Sequence, residues 1–197
     1  KNAIDSYKKI IKIDPKITDV YKLLGDVQME IVDYHGAFES YKHALDLSPK
    51  RFDQLYDLGV VLEYLGNFID ALSLLAEAVV IKPNHIECNN RLASCLSANG
   101  KYKEAKIVYK KLMGLVPEAL TPRINFSSNL MYEGHYDEAE KILTEILIQN
   151  PESHEVKLSL SFLYLHKKKF SEGWKYYDAR LYIRNSVDKS ERFEMIK

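Results

Sequence analysis

An all-α fold of repeated antiparallel helix pairs is predicted by three observations on this sequence. Prolines recur every 34 residues from Pro15 to Pro151, and small residues recur twelve positions before each of them. Within each period, apolar residues follow the spacing of amphipathic helices. A fixed period of this length is the signature of a helical repeat array, in which each unit buries its apolar faces against its neighbours. The small residues before the prolines are Ala3, Ala37, Ala71, Ala105 and Ala139.

The period that starts at residue 52 shows how each repeat predicts two helices. Leu55, Leu58 and Leu62 have the spacing of one face of a first helix. Gly66 tolerates the left-handed conformation that often ends a helix, and Pro83 ends the second apolar stripe that follows. The sequence therefore predicts a helix, a tight turn and a second helix in each period.

Small residues mark the point where the two helices of a repeat cross. Gly59 lies on the predicted first helix and Ala71 on the second, and their repeat equivalents are mostly small as well. Larger side chains at a crossing would separate the two backbones. We therefore expect close helix contact at these two positions.

The elements follow in a regular order along the chain. We predict an array over residues 1–185, a C-terminal extension or linker over 186–197, and degeneracy in the last repeat, where Gly173 replaces the alanine and Asn185 the proline. The chain begins within a helical pattern, so we expect it to be part of a longer protein. The predicted units are a leading second helix at 1–15 and repeats at 18–51, 52–85, 86–119, 120–153 and 154–185.

The repeat resembles the tetratricopeptide repeat (TPR) family. The resemblance rests on the bulky–small pairs Leu24-Gly25, Leu58-Gly59, Leu92-Ala93 and Phe126-Ser127, followed by aromatic–x–x–Ala and the proline. It implies a TPR superhelical solenoid whose concave face binds proteins or peptides. A scaffold for protein or peptide binding is therefore the main functional prediction.

Composition narrows the classes of partner and compartment. The 28 basic residues balance the 28 acidic ones, which gives no general attraction to nucleic acid or to an anionic membrane. No apolar run is long enough to span a bilayer. Two cysteines cannot form a disulfide scaffold, which favours a reducing compartment and predicts a cytoplasmic protein. We expect no nucleic-acid partner and no membrane partner.

No motif for catalysis, a cofactor or a metal is recognisable. Cys88 and Cys95 lie seven residues apart on one predicted helix. That separation is about 10.5 Å along a helix axis, too long for a disulfide. Both positions are inward-facing in the repeat, which predicts packed thiols. We predict no catalytic site, cofactor or metal in these residues, and leave the activity of a longer protein open.

The resemblance assigns a binding groove to six positions of each first helix. In the N-terminal half these positions are mostly acidic, whereas in the C-terminal half they are neutral and include Ile124. An acidic groove favours a basic or neutral extended segment, and Asn90, Arg91 and Asn125 are expected to form a polar cluster. The predicted groove residues are Asp19, Asp26, Asp53, Tyr56, Asp57, Tyr64, Asn90, Arg91, Asn125, Met131, Tyr132 and Phe162.

The end of the array carries a second motif. Residues 170–181 resemble the last repeat of bacterial TPR proteins that continue into a glycosyltransferase domain, although Ala179 departs from that pattern. Arg180 occupies a position that is apolar in the earlier repeats, so a partner is expected to meet it. The partner would be a following domain or a second copy. The predicted docking surface is Trp174, Tyr176, Tyr177, Arg180 and Leu181.

Two alternatives to a plain binding scaffold stay open at this point. The chain is a substrate-recruiting arm of a glycosyltransferase whose catalytic domain lies beyond residue 197, or it is a self-associating spacer. A degenerate last repeat explains the 170–181 motif equally well. The sequence downstream of Lys197 distinguishes the first alternative, and light scattering at rising concentration distinguishes the second.

Overall fold

The structure is a computed structural model that describes residues 2–183. The chain divides into two compact units, unit 1 (Lys1–Val108) and unit 2 (Tyr109–Lys197). Within the described residues the secondary structure consists of helices and turns, without strands. The all-α fold of helix pairs predicted from the sequence is confirmed. The predicted extension at 186–197 lies outside the described residues.

Unit 1 contains six complete helices, and α7 contains the boundary between the units. Consecutive helices among these six pack against each other. The helices are α1 (Asn2–Ile13), α2 (Thr18–Glu30), α3 (Tyr34–Leu47), α4 (Phe52–Tyr64), α5 (Phe68–Ile81), α6 (Ile86–Ala98) and α7 (Tyr102–Leu115).

Unit 2 continues the pattern, and its helices likewise pack against their neighbours in sequence. Helical backbone resumes over residues 179–183, after a turn at Asp178. None of the helices described in either unit is long and apolar enough to cross a bilayer. The helices of unit 2 after α7 are α8 (Leu120–Tyr132), α9 (Tyr136–Gln149), α10 (His154–His166) and α11 (Phe170–Tyr177).

Close helix crossings occur where the sequence places small residues. A Cβ atom added at Gly25 would lie 2.5 Å from the Tyr41 ring, and one at Gly59 would lie 2.9 Å from Leu75. Ala71 is completely buried on α5. Glycine in α2 and α4 therefore lets a large side chain of the following helix pack directly on the backbone.

A left-handed residue recurs in the turn within each repeat. Gly66, Gly100 and Gly134 have φ values of 77°, 73° and 84°, and Val32 and Lys168 occupy the equivalent positions with φ values of 63° and 58°. L-residues other than glycine pay a steric cost in this region, and β-branched residues pay the most. Two of the five turns thus retain backbone strain that glycine relieves in the other three.

Arg180, after the last helix, differs in burial from the residues at the same position of the earlier repeats. The side chain is exposed, whereas its repeat equivalents Ala44, Ala78, Leu112 and Ile146 are completely buried. The helix is interrupted at Asp178, whose carbonyl accepts a hydrogen bond from the Leu181 N–H at 3.0 Å. This tighter i, i+3 turn changes the register, and Ala179 is buried instead. The place of Arg180 on the predicted docking surface stays a prediction.

Candidate functional site

A charged network links three helices on the predicted groove face of unit 1. The Lys22 Nζ donates to both carboxylate oxygens of Asp26 at 3.1 and 2.9 Å, and Tyr41 Oη donates to the same carboxylate at 2.8 Å. The Asp57 Oδ2 lies 3.4 Å from Lys22 Nζ. Residues of α2, α3 and α4 are thereby joined through one lysine.

Asp57 is the member of this network whose charge is destabilised by burial. Its Oδ2 atom is buried and accepts no hydrogen bond, so the contact with Lys22 is ionic only. Burial raises the pKa of Asp57 to about 6, and the Lys22 charge offsets this only in part. Burial, followed by the hydrogen bond to Asp26, also raises the pKa of Tyr41. The acidic character of this face is therefore partly neutralised within the protein.

A second internal ion pair joins α4 to α6. The Arg91 guanidinium donates to Glu63 Oε2 at 2.7 Å, and its carbon lies 5.8 Å from the Tyr64 ring centroid. Tyr64 also stacks on Tyr34, with 5.0 Å between the ring centroids. Arg91 thus already interacts with side chains of unit 1.

The remaining acids of this face are exposed and loosely paired. Asp19 and Asp53 lie 3.7 and 3.8 Å from Arg51 and Lys82, contacts that solvent screens strongly. Glu87 occupies the same repeat position, 34 residues after Asp53, and is also exposed. These three carboxylates therefore remain accessible to a ligand.

An aromatic cluster lies beside Asp53. Phe52 stacks on Tyr56 with 5.6 Å between the ring centroids, and His85 tilts against Phe52 at 4.7 Å. The Lys82 Nζ lies 4.0 Å from the Phe52 ring centroid. An ammonium group is therefore already bound on this aromatic face.

Unit 2 has a cavity at the corresponding positions of α8 and α10. The cavity has a volume of about 170 Å³. Of the side chains around it, Tyr132 is 69% exposed and Phe162 is 46% exposed, so both aromatic rings are accessible from solvent. The residues that line the cavity are Ser128, Met131, Tyr132, Ser159, Phe162 and His166.

The polar atoms of the cavity are oriented by their own helices. Ser128 Oγ donates to the Ile124 carbonyl at 3.3 Å, and Ser159 Oγ donates to the Glu155 carbonyl at 2.9 Å. The His166 Nδ1 lies 3.0 Å from the Phe162 carbonyl. A carbonyl only accepts, so Nδ1 carries the proton and the Nε2 of a neutral ring is an acceptor.

The structure brings some predicted groove residues together and separates others. Met131, Tyr132 and Phe162 line one cavity. Asn90 and Asn125 belong to different units, so the polar cluster predicted for them with Arg91 stays a prediction. Ile124 is only 3% exposed and packs in the core, so its prediction as a groove residue is wrong.

Three of the cavity residues, Ser128, Ser159 and His166, lie at groove positions that the resemblance assigns but were not among the predicted groove residues. A signal was present, because Ser128 and Phe162 are 34 residues apart, as are Tyr132 and His166. Equivalent positions of consecutive first helices face the same space. Because these residues are polar, their types did not indicate a cavity. Its presence depends on side-chain geometry.

The two cysteines are buried in unit 1. Burial raises the pKa of the Cys88 thiol to about 11 and that of Cys95 to about 12. Both are free thiols, and a buried neutral thiol is a poor nucleophile and metal ligand. Among the described residues, no group of three or more His, Cys, Asp or Glu side chains is arranged to hold a metal ion.

The predicted docking surface on and after α11 is largely exposed. Trp174 and Leu181 are 57% and 47% exposed, and Tyr177 is half-buried. The Tyr177 ring meets the edge of Trp174 at 5.0 Å, and the Arg180 guanidinium carbon lies 3.9 Å from the same ring centroid. Arg180 therefore finds a cation–π partner within the chain.

Family models and solved structures supply the comparison with known proteins. Models of the tetratricopeptide repeat match residues 86–118 and 125–186. No curated protein is significantly similar to the chain in sequence. A tetratricopeptide repeat protein from Parabacteroides merdae is 19% identical with a TM-score of 0.82, and the match covers 88% of this chain and 69% of that one.

Two further structures share the fold. MamA from Desulfovibrio magneticus is 16% identical with a TM-score of 0.69, and the match covers 90% of this chain and 96% of that one. YrrB, described as a TPR protein with an unusual peptide-binding site, is 16% identical with a TM-score of 0.66 over 98% of this chain and 100% of that one. At these identities the likeness shows the fold alone.

Proposed function

Because the chain carries tetratricopeptide repeats, we propose that it binds an extended segment of a partner protein along its first-helix faces. TPR arrays are protein-interaction scaffolds, generally without catalysis of their own. The first-helix face of unit 1 comprises the groove positions of α2, α4 and α6, and that of unit 2 comprises those of α8 and α10. The proposed binding array is 1–185, with 186–197 as an extension or linker.

The cavity of unit 2 is the observation that carries this proposal. Six side chains from two successive first helices converge on it, and two of them are exposed aromatic rings. Exposed aromatic side chains around a concavity are typical of protein interfaces. The description of YrrB as having a peptide-binding site adds support for a peptide ligand in this fold.

The chemistry of unit 1 indicates a neutral or basic partner segment. Asp26, Asp57 and Glu63 are already paired with Lys22 and Arg91 inside the protein. The exposed acids at the second position of each first helix are therefore the ones that would attract basic groups. Their attraction should steer association and depend on salt.

Peptide selection followed by charge reversal tests the proposal. A random peptide library displayed on phage is panned against the chain, and the enriched peptides are titrated by calorimetry at low and high salt. Asp53→Lys with Glu87→Lys should weaken binding of the basic peptides by about tenfold and reduce the salt dependence.

A matched control keeps the same charge change away from the face. Glu77 and Glu104 are exposed on the second helices α5 and α7, so Glu77→Lys with Glu104→Lys should leave binding unchanged. Asp57 is unsuitable for this test, because a lysine there would face Lys22. Failure to enrich any peptide would contradict the proposed function.

A glycosyltransferase-associated arm remains an alternative prediction from the motif at 170–181. The observations on α11 do not favour it over a degenerate last repeat. The reading frame beyond residue 197 decides the question: a catalytic domain directly after the array would support the alternative.

A further inference from the structure

We propose that the cavity between α8 and α10 is a subsite for one tyrosine side chain of the bound partner segment. The inference rests on the proposed function and adds the identity of an anchor residue. It follows from the size of the cavity, the character of its walls and the orientation of its polar atoms.

The size of the cavity limits the ligand to a single small ring. Its volume is about 170 Å³, whereas sites for drug-sized molecules and cofactors occupy about 300–1,000 Å³. A cavity of about 150 Å³ in a protein core is known to bind benzene. One six-membered ring with one substituent therefore fits, and a nucleotide does not.

The walls favour an aromatic ring over an aliphatic chain. Tyr132 and Phe162 supply two aromatic rings, and Met131 supplies a thioether. Aromatic pairs and sulfur–aromatic contacts each add attraction beyond simple burial of apolar area. A flexible aliphatic side chain would gain only the burial.

The polar atoms select a ligand that donates a hydrogen bond. The hydroxyl groups of Ser128 and Ser159 already donate hydrogen bonds to carbonyls of their own helices. Their oxygen lone pairs are therefore acceptors. A phenol supplies the donor that these acceptors need, whereas a phenylalanine ring would bury them unsatisfied.

Charge argues against a basic or acidic anchor. The lining contains no Asp, Glu, Lys or Arg side chain. A buried charge without a partner is costly, so a lysine or glutamate of the partner would be rejected here.

The inference is tested with three small probes on the intact chain. N-acetyl-tyrosinamide, N-acetyl-phenylalaninamide and N-acetyl-leucinamide are titrated while the methyl signal of Met131 is followed by NMR. We expect the tyrosine probe to shift this signal with an affinity about three- to tenfold higher than the phenylalanine probe, as one added hydrogen bond predicts. The leucine probe should bind most weakly.

Variants assign the effect to the cavity. Tyr132→Ala should abolish the shift, whereas Tyr64→Ala, at the equivalent repeat position in unit 1, should leave it intact. Ser159→Val should remove the preference for tyrosine over phenylalanine, and Ser159→Thr, which keeps the oxygen, should retain it. Circular dichroism and thermal unfolding of each variant confirm that the helices are intact.

The outcomes separate this inference from the proposed function. Equal affinities for the tyrosine and phenylalanine probes, or shifts that survive Tyr132→Ala, overturn the tyrosine subsite. Selected peptides that bind without any dependence on a tyrosine overturn the subsite and leave the proposed function standing. Binding of the tyrosine probe at Met131 without any selected peptide supports the subsite and contradicts the proposed function.

Discussion

The first-helix faces of the two units differ although both lie on the same repeated scaffold. In unit 1 the face is charged, and Lys22 and Arg91 neutralise three of its acids from within. In unit 2 a cavity with two exposed aromatic rings is lined without any Asp, Glu, Lys or Arg side chain. The buried positions hold the helix geometry constant, so the exposed positions are free to carry different chemistry.

The helix crossings differ between the units in a similar way. In unit 1 Gly59 lets Leu75 pack against the backbone. Its equivalent in unit 2, Ser127, is completely buried and donates its hydroxyl to the Ile124 carbonyl at 2.6 Å. A small polar residue is accepted at a crossing because its hydroxyl bonds to its own helix.

The largest expected change in stability comes from enlarging a side chain at a helix crossing, which tests whether both units share this crossing geometry. Ala71 in unit 1 and Ala139 in unit 2 are completely buried. Ala71→Leu and Ala139→Leu should each overpack a crossing and lower the free energy of unfolding by about 1–3 kcal/mol. Urea unfolding measures the change, with the exposed Ile69→Leu as control. An unchanged midpoint in one of the two variants would show that the crossings are not equivalent.

The next prediction concerns the dependence of stability on pH, which carboxylates of the two units should change in opposite directions. The pKa of Asp57 rises to about 6 in the folded state, from 3.8. The native state then holds a proton that the unfolded state releases, so stability falls as pH rises from about 4 to 6. The cost above pH 6 is on the order of 3 kcal/mol, since the shift is about two pKa units and each unit corresponds to about 1.4 kcal/mol.

Asp57→Asn should remove this cost, because Lys22 keeps both hydrogen bonds to Asp26. Unfolding free energies measured from pH 4 to pH 8 should show the variant more stable than the wild type above pH 6. The two should converge near pH 4. If the unfolding free energies of the two proteins changed in parallel over that pH range, burial would not raise the pKa of Asp57.

In unit 2 the acids next to Lys167 behave in the opposite way. Hydrogen bonds from Lys167 lower the pKa of Asp137 and of Glu140. Their stabilisation is present above the ordinary carboxyl pKa and is lost as pH falls through the lowered value. Lys167→Met should therefore reduce the loss of stability in acid, an effect that Asp57→Asn should not produce.

A smaller effect is expected at the strained turns. Val32 adopts the left-handed conformation that Gly66, Gly100 and Gly134 adopt at equivalent positions. Val32→Gly should relieve steric strain, partly offset by the entropy of glycine, and stabilise the protein by about 0.5–1 kcal/mol. Gly66→Val is the reverse control and should destabilise the protein. A stabilising Gly66→Val would contradict this assignment.

The periodic features of the sequence predicted the fold well, because buried positions repeat with the period. The glycine crossings and the buried cysteines followed from residue type and position. The pairing of Asp57 with Lys22 could not be predicted, since it depends on where two long side chains meet. The cavity of unit 2 was missed for the same reason. The exposure of Arg180 within the chain could not be predicted, because the repeat register assumed an uninterrupted helix through Asp178.

The smallest effect on stability is expected on the predicted docking surface. Trp174 is 57% exposed, whereas two of its repeat equivalents in unit 1, Phe38 and Leu72, are partly buried against the core. Trp174→Ser with Leu181→Ser should therefore change the free energy of unfolding by less than about 0.5 kcal/mol. Leu72→Ser, which removes a contact with the core, should cost more.

Fluorescence decides what covers this surface, because Trp174 is the single tryptophan of the chain. In dilute solution its emission should be red-shifted and quenched by acrylamide, as expected of a solvated indole. Loss of quenching at higher protein concentration would identify a second copy as the occupant, and Leu181→Ser should then restore it. If the emission is blue-shifted at every concentration and the double variant unfolds, Trp174 belongs to the core and the docking prediction is wrong.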